Sequence, residues 1–176
     1  MASFHRLFLL LLLAGSALAE TTVATDKTAH ILASTRELMR QARYCALITI
    51  GNAAQPQART VDPLPASGDE LDVWVLTNRD SRKVEQLRRN PRATLYYFPP
   101  SGSGYVTLLG DAEIHSTSAA KDAAWKPAWG EERRKLIALE KFVLIHFHPR
   151  RIEMVSYAHG LANDPKTMLP VMLDLP

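Results

Sequence analysis

From Tyr44 to Ala158 the chain is a succession of short apolar or alternating runs, most of them separated by only a few residues. This spacing constrains the fold more than any other feature. Antiparallel neighbours need only a tight turn, whereas parallel ones need a crossover of a dozen or more residues. The runs are "YCALITIG" (44–51), "ARTVDPL" (58–64), "LDVWVLT" (71–77), "RATLYYF" (92–98), "YVTLLGDAEIH" (105–115), "FVLIHFH" (142–148) and "RIEMVSYA" (151–158). Pro63 predicts an early end or bulge in the second run. Gly110 predicts a bulge or a close backbone approach in the fifth. The last two runs read as separate strands joined by a tight Pro149-Arg150 turn, and the tail from His159 reads as irregular.

Helical signals are fewer. Asp26 suits an N-cap for a helix to about Arg43. Residues 81–89 form a short helix closed by Asn90-Pro91. Residues 117–141 read as helical pieces broken at Pro127 and Gly130. The expected fold class is mainly β with helices, a six- to seven-stranded antiparallel barrel rather than alternating βαβ units.

Residues 1–19 carry the pattern of a secretory signal: His5-Arg6, the apolar "LFLLLLLAGSALA", and the small-x-small Ala17-Leu18-Ala19. Cleavage after Ala19 would leave a loose leader at 20–25 and a domain at 26–176, in the periplasm or secreted. The apolar run is short of the roughly 20 residues that span a bilayer, so no membrane association is expected after cleavage. Loss of Arg6 takes the basic residues from 21 to 20 against 18 acids, a net charge of +2. So small an excess gives no electrostatic basis for nucleic-acid binding. Cys45 is the only cysteine, so no intramolecular disulfide is possible. In its apolar strand it reads as a small core residue.

The stretch "LTNRDSRKVEQLRRNP" (76–91) ends a strand in Thr77-Asn78 and opens a helix with Ser81-Arg82-Lys83. A helix start offers unpaired N–H groups and partial positive charge. Hydroxyls at Thr77 and Ser81 with the cations Arg82 and Lys83 would suit a phosphate monoester, and an ordinary capped, solvated helix is the alternative. If hairpin order places the 58–64 strand beside the 71–77 strand, Arg59 reaches the same anion.

In order and spacing, "ARTV", "VWVLTNRDSRKVEQLRRNPRATLYYF" and "GYVTLLGDAEI" resemble the core motifs of the pyridoxamine 5′-phosphate oxidase-like, FMN-binding split-barrel family, nearest its general-stress-protein branch. The resemblance implies a homodimer with FMN at the subunit interface and a flavin-dependent oxidoreductase of unknown substrate. It implies contacts to the cofactor from Arg59, Thr60, Val61, Leu76, Thr77, Ser81, Arg82, Lys83 and Tyr105, and an aromatic neighbour at Trp129 or Trp125. Leu64 stands where the oxidase has a lysine, and Asp62-Pro63 replaces an apolar pair, so oxidation of pyridoxamine phosphate itself is not expected. A non-enzymatic module binding haem, a deazaflavin or a protein partner is the alternative.

No residue stands out as a general acid or base. His146 and His148 alternate on one strand and so share a face. They lack a third ligand at convincing spacing, so the pair reads as one side of a half-exposed strand and no metal site is expected; the family resemblance favours haem over a metal ion. Without the family argument, Trp125 and Trp129 read as an apolar face at a dimer interface.

Overall fold

The computed structural model of the chain describes residues 25–66 and 70–176. The signal segment, its cleavage point and most of the leader lie outside the described residues. The chain divides into two compact units, Met1–Ser34 and Thr35–Pro176. The first contributes the opening turns of helix α1 (residues 25–42); Asp26 lies inside the helix rather than before it.

The second unit is a curled antiparallel half-barrel with helices packed on it. Its elements are β1 (Cys45–Ile50), β2 (Pro56–Val61), β3 (Val73–Asn78), α2 (Arg82–Arg89), β4 (Arg92–Tyr97) and β5 (Gly104–His115), followed by α3 (Ser118–Ala124), α4 (Glu131–Ala138), β6 (Phe142–Ser156) and β7 (Val171–Asp174). The strand order is β2-β1-β4-β5-β6-β3, with β7 pairing β6. Every pairing is antiparallel.

Three further expectations are corrected. Residues 142–156 form one strand of 15 residues, not two. Proline is tolerated at 149 because β3 covers β6 only to Phe147 on one side and β7 begins at Arg151, so no ladder bond is demanded between them. The tail is not irregular throughout, since Val171–Met154 to Asp174–Arg151 pair as a ladder. Strands β2 and β3 are not hairpin neighbours but the two ends of the path. The segment between them carries Pro63 and Pro65, which cannot donate to a ladder.

Gly110 behaves as its position suggests. The β5–β6 register shifts between Leu109 and Gly110, and a Cβ at 110 would lie 2.0 Å from the His148 carbonyl oxygen. The breaks at Pro127 and Gly130 separate α3, a 3-10 turn and α4.

Alternation divides the sheet into two faces. On the inner face Leu47, Leu95, Val106, Leu108, Ile145, Phe147, Ile152 and Met154 are each at most 1 % exposed. Burial of such side chains contributes about 1.5–3 kcal/mol apiece. On the other face, at the β3–β6 edge, Leu64, Ala124, Trp129, Ile137 and Leu144 form a second core beneath α3 and α4, with Trp74, Leu76 and Trp125 packed against it.

Candidate functional site

Helix α2 begins where β3 ends. The Asp80 N–H donates to Asn78 Oδ1 at 2.8 Å, which turns the chain from strand to helix. Val84 and Leu87, three apart, bury one face of α2, and Gln86 is buried beside them. Ser81 is the N-cap, yet its side chain makes no capping bond. Its Oγ is buried without a hydrogen-bond partner.

Arg59 reaches α2 by a route the sequence did not suggest. It pairs with Leu47 across β1, so its side chain shares the inner face with Leu47 and with Thr49 two residues on. Its guanidinium donates to the Leu47 carbonyl oxygen at 3.2 Å, to Thr49 Oγ1 at 2.5 Å and to Gln86 Oε1 at 2.9 Å. Thr49 also donates to Gln86 Oε1, at 2.5 Å, and Gln86 Nε2 donates to Gln57 at 2.9 Å. A polar network thus fixes Arg59 from strand to helix and leaves its remaining N–H groups for another acceptor.

Three cations gather there. Burial, and then the neighbouring Arg82 charge, push the Arg59 guanidinium below its ordinary range. Burial, and then Arg59, do the same to the Lys83 ammonium. Among the described residues, no ion pair involves Arg59, Arg82 or Lys83. An unpaired buried hydroxyl, a helix start and like charges without counter-charge together suit an anion of phosphate type.

The other expected contacts are dispersed. Thr60 is exposed on the face opposite Arg59, while Val61 and Thr77 are buried. Leu76 and Trp129 belong to the second core, where Trp129 is 1 % exposed and its Nε1 donates to the Pro65 carbonyl oxygen at 3.0 Å. Tyr105 lies on the outer face, its ring 5.7 Å from Tyr96. A groove of about 670 Å³ opens on the outer face too, lined by Ile48, Ile50, Thr94, Leu109 and Arg151 among others. Cys45 is buried, and its thiol is pushed by burial from 9.0 to about 11.

A second polar cluster lies at the edge of the second core. Asp72 Oδ2 sits 2.8 Å from His146 Nε2 and 3.2 Å from His148 Nδ1. The His146 ring stacks on Trp74 at 3.6 Å, with an interplanar angle of 14°. Glu113, on β5 opposite His146, lies 4.0 Å from His148 Nε2 and 3.7 Å from His115 Nε2. The shared face of His146 and His148 was legible in the alternation. Asp72 was not, because it precedes β3 and joins the histidines only through the β3–β6 pairing.

Comparison with known proteins matches this architecture. The family profile of pyridoxamine 5′-phosphate oxidase matches residues 31–156. The chain belongs to the pyridoxamine 5′-phosphate oxidase family. Its fold is shared with General Stress Protein 26 from Bacillus anthracis, at a TM-score of 0.60 and 19 % identity over 83 % of this chain and 99 % of that one. A pyridoxamine 5′-phosphate oxidase-related, FMN-binding protein from Nostoc punctiforme aligns at 0.56 and 17 % identity, over 86 % of this chain and 95 % of that one. A haem-binding protein from Mycobacterium smegmatis aligns at 0.56 and 19 % identity, over 70 % of this chain and 53 % of that one. A search of curated proteins gives no match. Family membership and the split barrel therefore stand, and the ligand is a matter for the residues themselves.

Proposed function

We propose that the Thr35–Pro176 unit binds FMN, with its phosphate at the start of α2, and serves a flavin-dependent oxidoreduction. The carrying observation is the convergence of Arg59, Arg82 and Lys83 beside the buried, unpartnered Ser81 hydroxyl. Ser81 would donate its O–H to a phosphate oxygen, and Lys83 and Arg82 would balance the dianion. Arg59, held by Thr49 and Gln86, is already oriented and loses little freedom on binding. A bound flavin supplies hydride and one-electron transfer, and the protein's part is to hold and orient it. A deazaflavin cofactor with a phosphate would use the same seat.

Two further elements of the proposal concern context. Residues 1–19 would direct export and be removed after Ala19. A homodimer would close over the outer face, where Tyr96, Tyr105 and the exposed Met172 lie; sedimentation of the purified chain tests it. Among the described residues, no helix is long and apolar enough to cross a membrane.

Haem is the second reading, supported by the fold shared with the mycobacterial haem-binding protein. It would use His146 or His148, whose rings lie beside Asp72, with Trp74 stacked on His146.

The test is an absorption spectrum of the purified chain after incubation with FMN, riboflavin or haemin and gel filtration. Flavin bands should persist with FMN. Arg59→Ala and Lys83→Ala should each weaken FMN by about 10–100-fold, the equivalent of one charge-assisted hydrogen bond. Riboflavin, which lacks the phosphate, should be insensitive to both changes. A chain that retains no FMN overturns the proposal, and a Soret band alone replaces it with haem.

A further inference from the structure

We propose that Asp72, His146 and His148 form a binding site for one divalent first-row transition-metal cation, separate from the cationic seat at α2. One ligand atom from each of the three residues lies within 4.8 Å of the other two. Atoms that share an ion at about 2.1 Å each stand roughly 3–3.5 Å apart. The observed 2.8 Å and 3.2 Å separations at Asp72 Oδ2 are close to that already. Small side-chain adjustments would therefore admit an ion.

The donor set sets the class of ion. Two imidazoles and one carboxylate suit zinc, iron(II) or cobalt(II) better than calcium or magnesium, which prefer all-oxygen ligands. Without an ion, both rings direct a nitrogen at the same carboxylate oxygen. With one, His146 Nε2 and His148 Nδ1 give up their protons, and each ring carries its proton on the opposite nitrogen. For His148 that nitrogen is Nε2, which faces Glu113 Oε1 at 4.0 Å. Glu113 is thus placed to orient the ring from behind, the usual role of an outer carboxylate.

The surroundings fit a built site better than a plain hydrogen-bonded pair. Trp74 walls one face of His146, and Trp129 lies 5.7 Å beyond Trp74. His115 is 5.7 Å from His146 by ring centroids, and its Nε2 is buried without a hydrogen-bond partner. The three protein ligands leave a position open, as in catalytic rather than structural zinc sites.

The test is titration of the untagged, chelator-stripped full chain with Co²⁺ and then Zn²⁺. One equivalent of Co²⁺ should give ligand-field absorption, and Zn²⁺ should displace it. Asp72→Asn and His146→Gln should each lose more affinity than the about 10–100-fold typical of removing an outer partner, and Glu113→Gln should fall within that range. His159→Gln should change nothing. Binding that survives both Asp72→Asn and His146→Gln, or no uptake at all, overturns the site. Should those variants fail to fold, imidazole ¹⁵N spectra of the unmodified chain decide it. Zn²⁺ must then shift His146 Nε2 and His148 Nδ1, and shifts confined to His30 or His159 overturn the assignment.

Discussion

Around the start of α2, Arg59, Arg82 and Lys83 stand together and no described carboxylate pairs with them. At the β3–β6 edge, His115, His146 and His148 stand together with Asp72 and Glu113 among them. One sheet therefore carries two polar clusters with opposite deficits. The first holds positive charge that burial penalises and an external anion would relieve. The second contains its own acceptors, and its imidazoles can exchange a proton for a metal ion. Their supports differ as well. A hydrogen-bonded network fixes the cations, whereas aromatic packing walls in the histidines.

The largest expected effect comes from breaking the aromatic side. Trp129→Ala should cost about 3–5 kcal/mol of stability, read from the midpoint of urea unfolding. It should also weaken Zn²⁺ binding while leaving FMN affinity nearly unchanged, because Trp129 packs behind Trp74 and not behind Arg59. Equal losses of both ligands would show that the two clusters are energetically one.

A pH experiment sharpens the other side. Cys45 pairs with Val61 across β1, on the same inner face as Arg59, and its thiol is raised from 9.0 to about 11. The folded state therefore binds the proton more tightly than the unfolded chain. Its contribution is full below pH 9 and is lost as pH rises through about 11. The loss should be about 2–3 kcal/mol across that window. It should vanish in Cys45→Ala when unfolding midpoints are compared at the two ends. A thiol that reacts rapidly with a disulfide reagent in the native protein at pH 8 would contradict the dry inner face.

The smallest effect separates positioning from charge. Gln86→Leu removes the acceptor shared by Arg59 and Thr49, and should cost about 1–3 kcal/mol by leaving buried donors unsatisfied. FMN binding should weaken with it. Gln86→Glu should restore stability but not FMN affinity, since a carboxylate there neutralises the guanidinium meant for phosphate. Recovery of both would mean that Arg59 is structural only.

Much of the scaffold was legible before any coordinates. Turn spacing indicated antiparallel strands, Gly110 its bulge, Pro127 and Gly130 the helix breaks, and Ser81-Arg82-Lys83 the start of α2. The motif order also pointed to the family. These features rest on neighbours within a few residues, where turn chemistry and side-chain periodicity act directly. The site was legible only in halves. Ser81, Arg82 and Lys83 are contiguous, but the hairpin meant to bring Arg59 beside them does not exist, and Gln86 makes the connection instead.

What the chain alone determined, then, is which segments are strands and helices and which residue types open α2. Tertiary structure decided the continuity of β6 through Pro149, the burial of Trp129 as core, and the meeting of Asp72 with two histidines 74 and 76 positions away. The reason is physical. A strand's alternation fixes which face a side chain takes, but only its partner strand fixes what stands beside it.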